Sequence, residues 1–212
     1  MLRVGLTGSI AVGKSFVART LAELGCHVLD ADQTSRAVVV PGTEGLRAVV
    51  AEFGAELLRA DGTLDRAKLG SIVFADAEKR ARLNALLHPL IRAAHEEWMN
   101  AIERQDADAV AIVDAALMIE SGSYRIFEKL IVVHCRPEMQ LARLIKRDKL
   151  SPEEAARRIA SQMPQEEKQR FADFLIDTSG GFAQTRRRTK EVYGQLKVLA
   201  RGEVKSDDET RV

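Results

Sequence analysis

Gly8-Ser9-Ile10-Ala11-Val12-Gly13-Lys14-Ser15 decides how this chain is read. The stretch fills every fixed position of the pattern G-x-x-x-x-G-K-[S/T]. Gly8 and Gly13 let the backbone curl so that successive amide N–H groups point inward at phosphate oxygens. A helix opening at Lys14 adds the positive end of its dipole. Lys14 reaches the β- and γ-phosphates as a mobile point charge, and the Ser15 hydroxyl offers an oxygen to Mg²⁺. The setting matches the pattern. Before the loop runs a short, mostly apolar strand, Leu2 to Thr7. After it, Val17, Ala18, Leu21, Ala22 and Leu24 recur at helical spacing until Gly25.

Further strands are expected at His27–Asp30, Ala109–Val113, Leu130–Val133 and Phe174–Ile176. They are apolar on both faces rather than alternating, as a parallel sheet buried between helix layers requires. Helical patterns separate them, so the fold class is α/β, with helices on both faces of a five-stranded parallel sheet. Two stretches stand outside the alternation. Residues 40–105 hold a turn at Asp61-Gly62 and then mostly helix, with no core strand. Residues 136–172 read as a charged helical pair carrying Arg136, Arg143, Lys146, Arg147, Lys149, Arg157, Arg158, Lys168 and Arg170. Between the two helices, Ser151 is placed to cap, Pro152 suits the first helical position, and Glu154 completes a capping box. The tail Gly202 to Val212 is charged and expected to fray.

Composition narrows the class. With 46% hydrophobic and 30% charged residues over 212 positions, the chain has enough apolar material for a core, which excludes a disordered segment. Thirty-two basic against 31 acidic residues leave a net charge of +1, which argues against a general nucleic-acid or membrane-surface binder. Cys26 and Cys135 are too few for a disulfide framework and read as reduced thiols near strand ends. The longest apolar run, Ala109 to Ile119, is too short to span a bilayer and is broken by Asp114. The N-terminus does not read as a signal peptide, so a cytoplasmic location is expected. The four histidines, His27, His88, His95 and His134, show no zinc-ligand spacing.

A phosphate loop does not say which chemistry follows. Asn84 and Asn100 are the only asparagines and neither precedes lysine, so a guanine-specifying N-K-x-D is absent. Asp114 ends a strand but Ala115 follows it, so the Asp-Glu of many motor ATPases is absent too. A small-molecule kinase remains. Such an enzyme needs a carboxylate to orient the acceptor hydroxyl and take its proton. Asp30 and Asp32 follow the second strand at the carboxyl edge where ligands gather. The competing role for both is to cap the next helix.

More of the chain, about residues 2 to 200, resembles the dephospho-CoA kinase family. The resemblance is carried by Gly5-Leu6-Thr7-Gly8 through Ser15, Val28-Leu29-Asp30-Ala31-Asp32, and Ala60-Asp61-Gly62-Thr63-Leu64-Asp65-Arg66. It continues through Ile72-Val73-Phe74, Leu83-Asn84 and His88-Pro89-Leu90-Ile91. It closes with Asp114-Ala115-Ala116-Leu117-Met118-Ile119-Glu120, the pairs Gln140-Leu141, Arg143-Leu144 and Arg147-Asp148, and Ala172-Asp173 with Ile176-Asp177. The P-loop alone would be unspecific; the set in this order is not.

This resemblance implies transfer of the γ-phosphate of ATP to the ribose 3′-hydroxyl of dephospho-CoA, the last step of coenzyme A synthesis, with Mg²⁺ as cofactor. It implies one domain over residues 1–212. Its core would lie at about 1–40, 106–139 and 173–200, with an acceptor-binding helical insertion at about 41–105 and a lid at about 140–172. By the same resemblance Asp32 is the catalytic base, with Lys14 and Arg143 also catalytic. Gly8, Ala11, Val12, Gly13, Lys14, Ser15, Phe16, Arg147 and Asp177 would bind ATP, Ser15 also holding the metal. Thr7, Asp32, His88 and Leu117 would face the acceptor. A closing lid would exclude water, and a lid arginine would neutralise the transferring group unless these arginines only solvate a helix face.

The sequence departs from the family pattern at several points. Phe16 stands where a threonine is usual, Ser9 where a glycine is common, and Ala11-Val12 replace Gly-Ser. Ala115-Ala116 lack a proline, and Asp177 replaces an asparagine. His88 reads either as a substrate-side residue or as a structural histidine at a helix start. Trp98 and Met99 read as packing, or as lining for the pantetheine groove. Arg186-Arg187-Arg188 read as a solvated helix face. Partners are expected to be ATP and dephospho-CoA, with no nucleic acid or membrane, in a monomer or weak homo-oligomer. Two alternatives stand beside the kinase: a nucleoside or nucleotide kinase of the same architecture, and a non-catalytic regulator that senses ATP.

Overall fold

Val4, Gly5, Leu6 and Thr7 are all buried in the first strand, β1 (Leu2–Thr7), so neither of its faces meets water. A strand buried on both faces needs neighbours on both edges, and β1 has them. In the computed structural model, which describes Met1 to Gly202, it lies at the centre of a five-stranded parallel sheet in the order β2-β3-β1-β4-β5. The other strands are β2 (His27–Asp30), β3 (Val110–Asp114), β4 (Lys129–His134) and β5 (Phe174–Asp177). Leu6 of β1 stands opposite Asp114 of β3 and Ile131 of β4. The strand order turns at β1, so the loop leaving its carboxyl end opens where doubly wound sheets hold their ligands. The expected tail, past Gly202, lies outside the described residues.

The strands fall within one residue of the expected positions, with one correction. Double-sided burial holds for β1, β3 and β4 only. The flanking strands β2 and β5 are partly exposed, because each has a neighbour on one edge alone.

Two compact units divide the chain. The first combines Met1–Leu29 with the described residues from Ala101 onward. It holds the sheet with α1 (Lys14–Glu23) and α9 (Gly181–Ala200), and Val17, Leu21, Val192 and Leu196 are fully buried in its core. Here the expected helical pair is three helices: α6 (Pro137–Asp148), α7 (Pro152–Ala160) and α8 (Gln165–Gln169). The short third one starts after Pro164, whose fixed φ favours helix entry. The capping box forms as expected: Ser151 Oγ accepts from the Glu154 N–H, and Glu154 Oε2 accepts from the Ser151 N–H. Cys26 and Cys135 are buried free thiols.

Asp30–Asn100 forms the second unit. It contains α2 (Ala31–Ala37), α3 (Glu44–Phe53), α4 (Arg66–Ala75) and most of α5 (Ala77–Gln105). Its own core gathers Val39, Leu46, Val49, Leu57, Leu64, Leu69 and Val73. Around the Asp61-Gly62 turn Leu58 and Leu64 make a single antiparallel bridge, and Gly62 takes the φ of +77° that the turn demands. α5 runs unbroken through Pro89. His88 is therefore an exposed mid-helix residue, which corrects the helix-start alternative. Met99 is buried and Trp98 half-buried. Among the described residues no helix is long and apolar enough to cross a membrane.

Candidate active site

The loop between β1 and α1 takes its shape from contacts that hold its carbonyls outward. Gly8 passes so close to β4 that an added Cβ would lie 2.5 Å from the Val133 carbonyl oxygen. Ala11 and Gly13 turn the chain with φ of +61° and +96°. The Ile10 carbonyl accepts from Gln140 Nε2 at 2.8 Å. The Val12 carbonyl accepts from Thr178 Oγ1 at 2.6 Å and from Arg143 Nη1 at 3.4 Å. In a planar trans peptide the carbonyl and the following N–H point in opposite directions. With the Ile10 and Val12 carbonyls tied to α6 and Thr178, the N–H groups of Ala11 and Gly13 point away from those partners. That is the arrangement an anion needs.

Lys14 pairs with Asp114, the last residue of β3, and both side chains are largely buried. Ser15 is exposed in the first turn of α1. A hydroxyl is a hard oxygen ligand of the kind that suits Mg²⁺. Among the described residues no cluster of three or more His, Cys, Asp or Glu side chains could hold a metal alone. Such an ion would thus rest on Ser15 and on phosphate oxygens.

Beside Gly13 opens a cavity of about 410 Å³ bounded by Phe16, Arg143, Thr178 and Phe182. The Phe16 and Phe182 rings lie 4.9 Å apart, tilted by 50°. Arg143 donates to Thr178 Oγ1 at 2.8 Å and to the Thr178 carbonyl at 2.9 Å. The Arg143 guanidinium is thus bonded to both the loop and Thr178. Arg147 donates to Asp148 through Nε and Nη2, and Arg158 adds a third bond to the same carboxylate. The hydrogen bond from Arg147 holds the Asp148 carboxyl below the usual carboxylate range.

The remaining expected residues scatter. Thr7 is fully buried and its hydroxyl donates to the Ala116 carbonyl, which takes it off any surface a substrate would touch. Leu117, in the segment after β3, is exposed. Asp177 ends β5 opposite His134, and its carboxylate accepts from the Ser179 N–H. In the second unit Asp30 caps α2, accepting from the N–H groups of Asp32 and Gln33. Asp32 sits in the first turn of α2 and is exposed. Among the described residues its carboxylate has no partner. Of the two acids, Asp30 therefore takes the capping role.

Sequence reasoning missed five contributors. Asp114 was set aside for lacking a following glutamate, although its place at a strand end beside β1 was readable. Thr178, Gln140 and Gln162 carry no local signal, since each reaches the loop from far along the chain. Lys168, counted with the charged helix faces, is fully buried instead. Its ammonium donates to the Ala116 carbonyl and pairs with Glu120, both at 2.8 Å.

Known proteins resemble the chain over nearly its whole length. Residues 2–184 match the family model for dephospho-CoA kinase. A dephospho-CoA kinase of Streptomyces avermitilis is 44% identical over 196 residues, which is 92% of this chain and 94% of that protein. The solved dephospho-CoA kinase of Campylobacter jejuni is 32% identical, with a TM-score of 0.70 over 95% of this chain and 98% of that one. A solved protein of Thermus thermophilus, 30% identical, reaches 0.75 over 92% and 97%.

Proposed function

The chain belongs to the dephospho-CoA kinase family, and on that premise we propose how its residues carry the phosphorylation of dephospho-CoA by ATP. The acceptor is the ribose 3′-hydroxyl, and the product is coenzyme A. One observation carries the reading: a loop whose Ile10 and Val12 carbonyls are tied to other elements, which turns the Ala11 and Gly13 N–H groups the other way beside Lys14.

ATP enters with its phosphates on the N–H groups of Ala11, Gly13 and the first turn of α1. Lys14 exchanges Asp114 for the β- and γ-phosphate oxygens. The family's reaction uses ATP with a divalent metal. We take that metal to be Mg²⁺ on the Ser15 hydroxyl, where it would neutralise charge on the β- and γ-oxygens. The base lies against the aromatic wall of Phe16 and Phe182 in the cavity that opens at Gly13. Arg143 keeps the loop in shape from that cavity's other wall, and Asp177 closes the strand behind it. Asp32 accepts the proton of the attacking hydroxyl, a task its unpartnered carboxylate suits. We assign acceptor contacts to His88 on the long helix of the helical unit and to Leu117 after β3. The segment of α6 to α8 that carries Arg147 is the lid, and its closure shields the phosphoryl group from water. We expect the reaction in the cytoplasm, from a monomer or weak homo-oligomer.

The test is turnover of the purified chain with ATP, Mg²⁺ and dephospho-CoA, set beside Asp32→Asn. We expect product from the parent and a kcat lowered by about 10²- to 10⁴-fold in the variant, with ATP affinity changed less than about twofold. An unchanged rate removes Asp32 from its role. Transfer to nucleoside monophosphates but not to dephospho-CoA would move the chain to a different kinase reaction.

A further inference from the structure

Both backbone polar groups of Ile10, at the apex of the loop, are bonded to glutamines. Its carbonyl accepts from Gln140 Nε2 at 2.8 Å, and its N–H donates to Gln162 Oε1 at 2.8 Å. We propose that Gln140 and Gln162 are positioning residues for the ATP phosphates, acting through the Ile10 peptide. The proposal rests on the reading of residues 8–15 as the ATP phosphate loop.

The loop has no strand or helix partner at its apex, and buried peptide groups must find bonds somewhere. A glutamine amide offers the same donor and acceptor as a peptide, so it substitutes for the missing backbone neighbour. Gln140 is almost completely buried and its orientation is not free. Its Oε1 accepts from Gln165 Nε2 at 2.8 Å, and Gln165 Oε1 accepts from the Cys135 N–H at 3.0 Å. The relay therefore starts on backbone immediately after β4 and ends on Ile10. Reversing any one amide would set donor against donor and acceptor against acceptor along it. Arg143, one turn further along the helix of Gln140, grips the Val12 carbonyl. One helix face thus fixes two alternate carbonyls of the loop. Gln162 approaches from the link between α7 and α8, so the apex is registered against the lid segment as well. Gln140 holds the Ile10–Ala11 peptide and Gln162 the Ser9–Ile10 peptide next to it, and shifting either would swing the Ala11 N–H away from where a phosphate oxygen would sit. No part of this requires the glutamines to touch ATP.

The sign of the effect separates positioning from competition. If Gln162 Oε1 merely stood in for a phosphate oxygen, its removal would tighten ATP binding. The experiment is calorimetric titration of the full chain with Mg²⁺ and a non-hydrolysable ATP analogue, alongside steady-state kinetics. Gln162→Met keeps the bulk and removes the acceptor. We expect affinity and KM for ATP to weaken by roughly threefold to tenfold, the worth of one hydrogen bond, with kcat at saturating ATP within about twofold. The melting temperature should stay within about 2 °C, since Gln162 is only half-buried. Gln140→Met should weaken ATP in the same direction. If that buried change unfolds the chain, Gln162→Met alone decides. Tighter binding, unchanged binding, or a loss of melting temperature and kcat with affinity intact each overturns the proposal. Lys14→Ala in the same titration isolates the premise: wild-type affinity there would sink the phosphate-loop reading itself, whereas loss there with Gln162→Met unchanged would sink only the relay.

Discussion

In the sheet-bearing unit, side chains from one element end on the backbone of another far away in sequence: Gln140 on Ile10, Thr178 on Val12, Lys168 on Ala116, Asp173 on Leu130. In Asp30–Asn100 the polar bonds are mostly local. Asp30 caps α2, Thr43 caps α3, Asp65 caps α4, and Asp76 accepts from Glu78 and Lys79 next to it. Its longer-range bonds involve mainly exposed arginine and lysine heads, such as Arg82 with Glu52 and Lys68 with the Glu56 carbonyl. The helical unit is held across its elements by apolar contact, which is non-directional. The sheet unit adds directional bonds around the phosphate loop. Apolar contact leaves the first kind of unit free to repack, whereas directional bonds hold the backbone of the second in one arrangement.

The sharpest way to break this contrast is in the helical core. Leu57 is fully buried there, and Leu57→Ala should cost about 2–5 kcal/mol of that unit's stability in urea unfolding. Affinity of the folded protein for ATP should hold. If ATP affinity falls in step, the two units do not divide the work as described. A smaller change lies at the start of α7. Ser151→Ala removes one half of the capping box and should cost about 1 kcal/mol, read by thermal unfolding, with KM for ATP unchanged because that bond is local. The smallest effect is a slope with pH. His95 is buried in the helical unit with Nε2 unpartnered, and burial holds its pKa below the ordinary 6.5. Below about pH 6.5 the unfolded chain protonates this ring while the folded one does not. Stability should therefore drop as pH falls through that window, until the folded pKa is reached. Melting temperatures at pH 7.5 and 5.5 check it, and His95→Leu should flatten the difference.

How much was readable from sequence follows the same division between local and distant. The phosphate loop, three double-buried strands and the Ser151–Glu154 box are each written within a few residues, and all three were legible. The run through Pro89 was not. A proline argues for a helix boundary, yet only one intrahelical bond, to the Ala85 carbonyl, is forfeited there, and packing along α5 overrides it. The fate of Lys168 was equally hidden, since charge patterning cannot tell a solvated lysine from one whose head is met by Glu120 and a carbonyl. Around the loop, the places of Lys14, Ser15 and the glycines between strand and helix were legible because the motif's spacing marks them. Asp114, Thr178 and the glutamines were not, because parallel pairing and helix docking bring them in from other parts of the chain.

The central place of β1 has a consequence for how the molecule comes into being. Leu2 pairs with Val110, and Val4 with Lys129, so on the ribosome this strand finds its partners only after roughly a hundred further residues have been made. The nascent segment must wait, apolar and unsheeted, while Asp30–Asn100 is synthesised with an apolar core of its own. Nucleotide-gripping ability should therefore be acquired late in biogenesis, and ribosome-stalled chains ending before residue 130 should fail to retain ATP however long they are given.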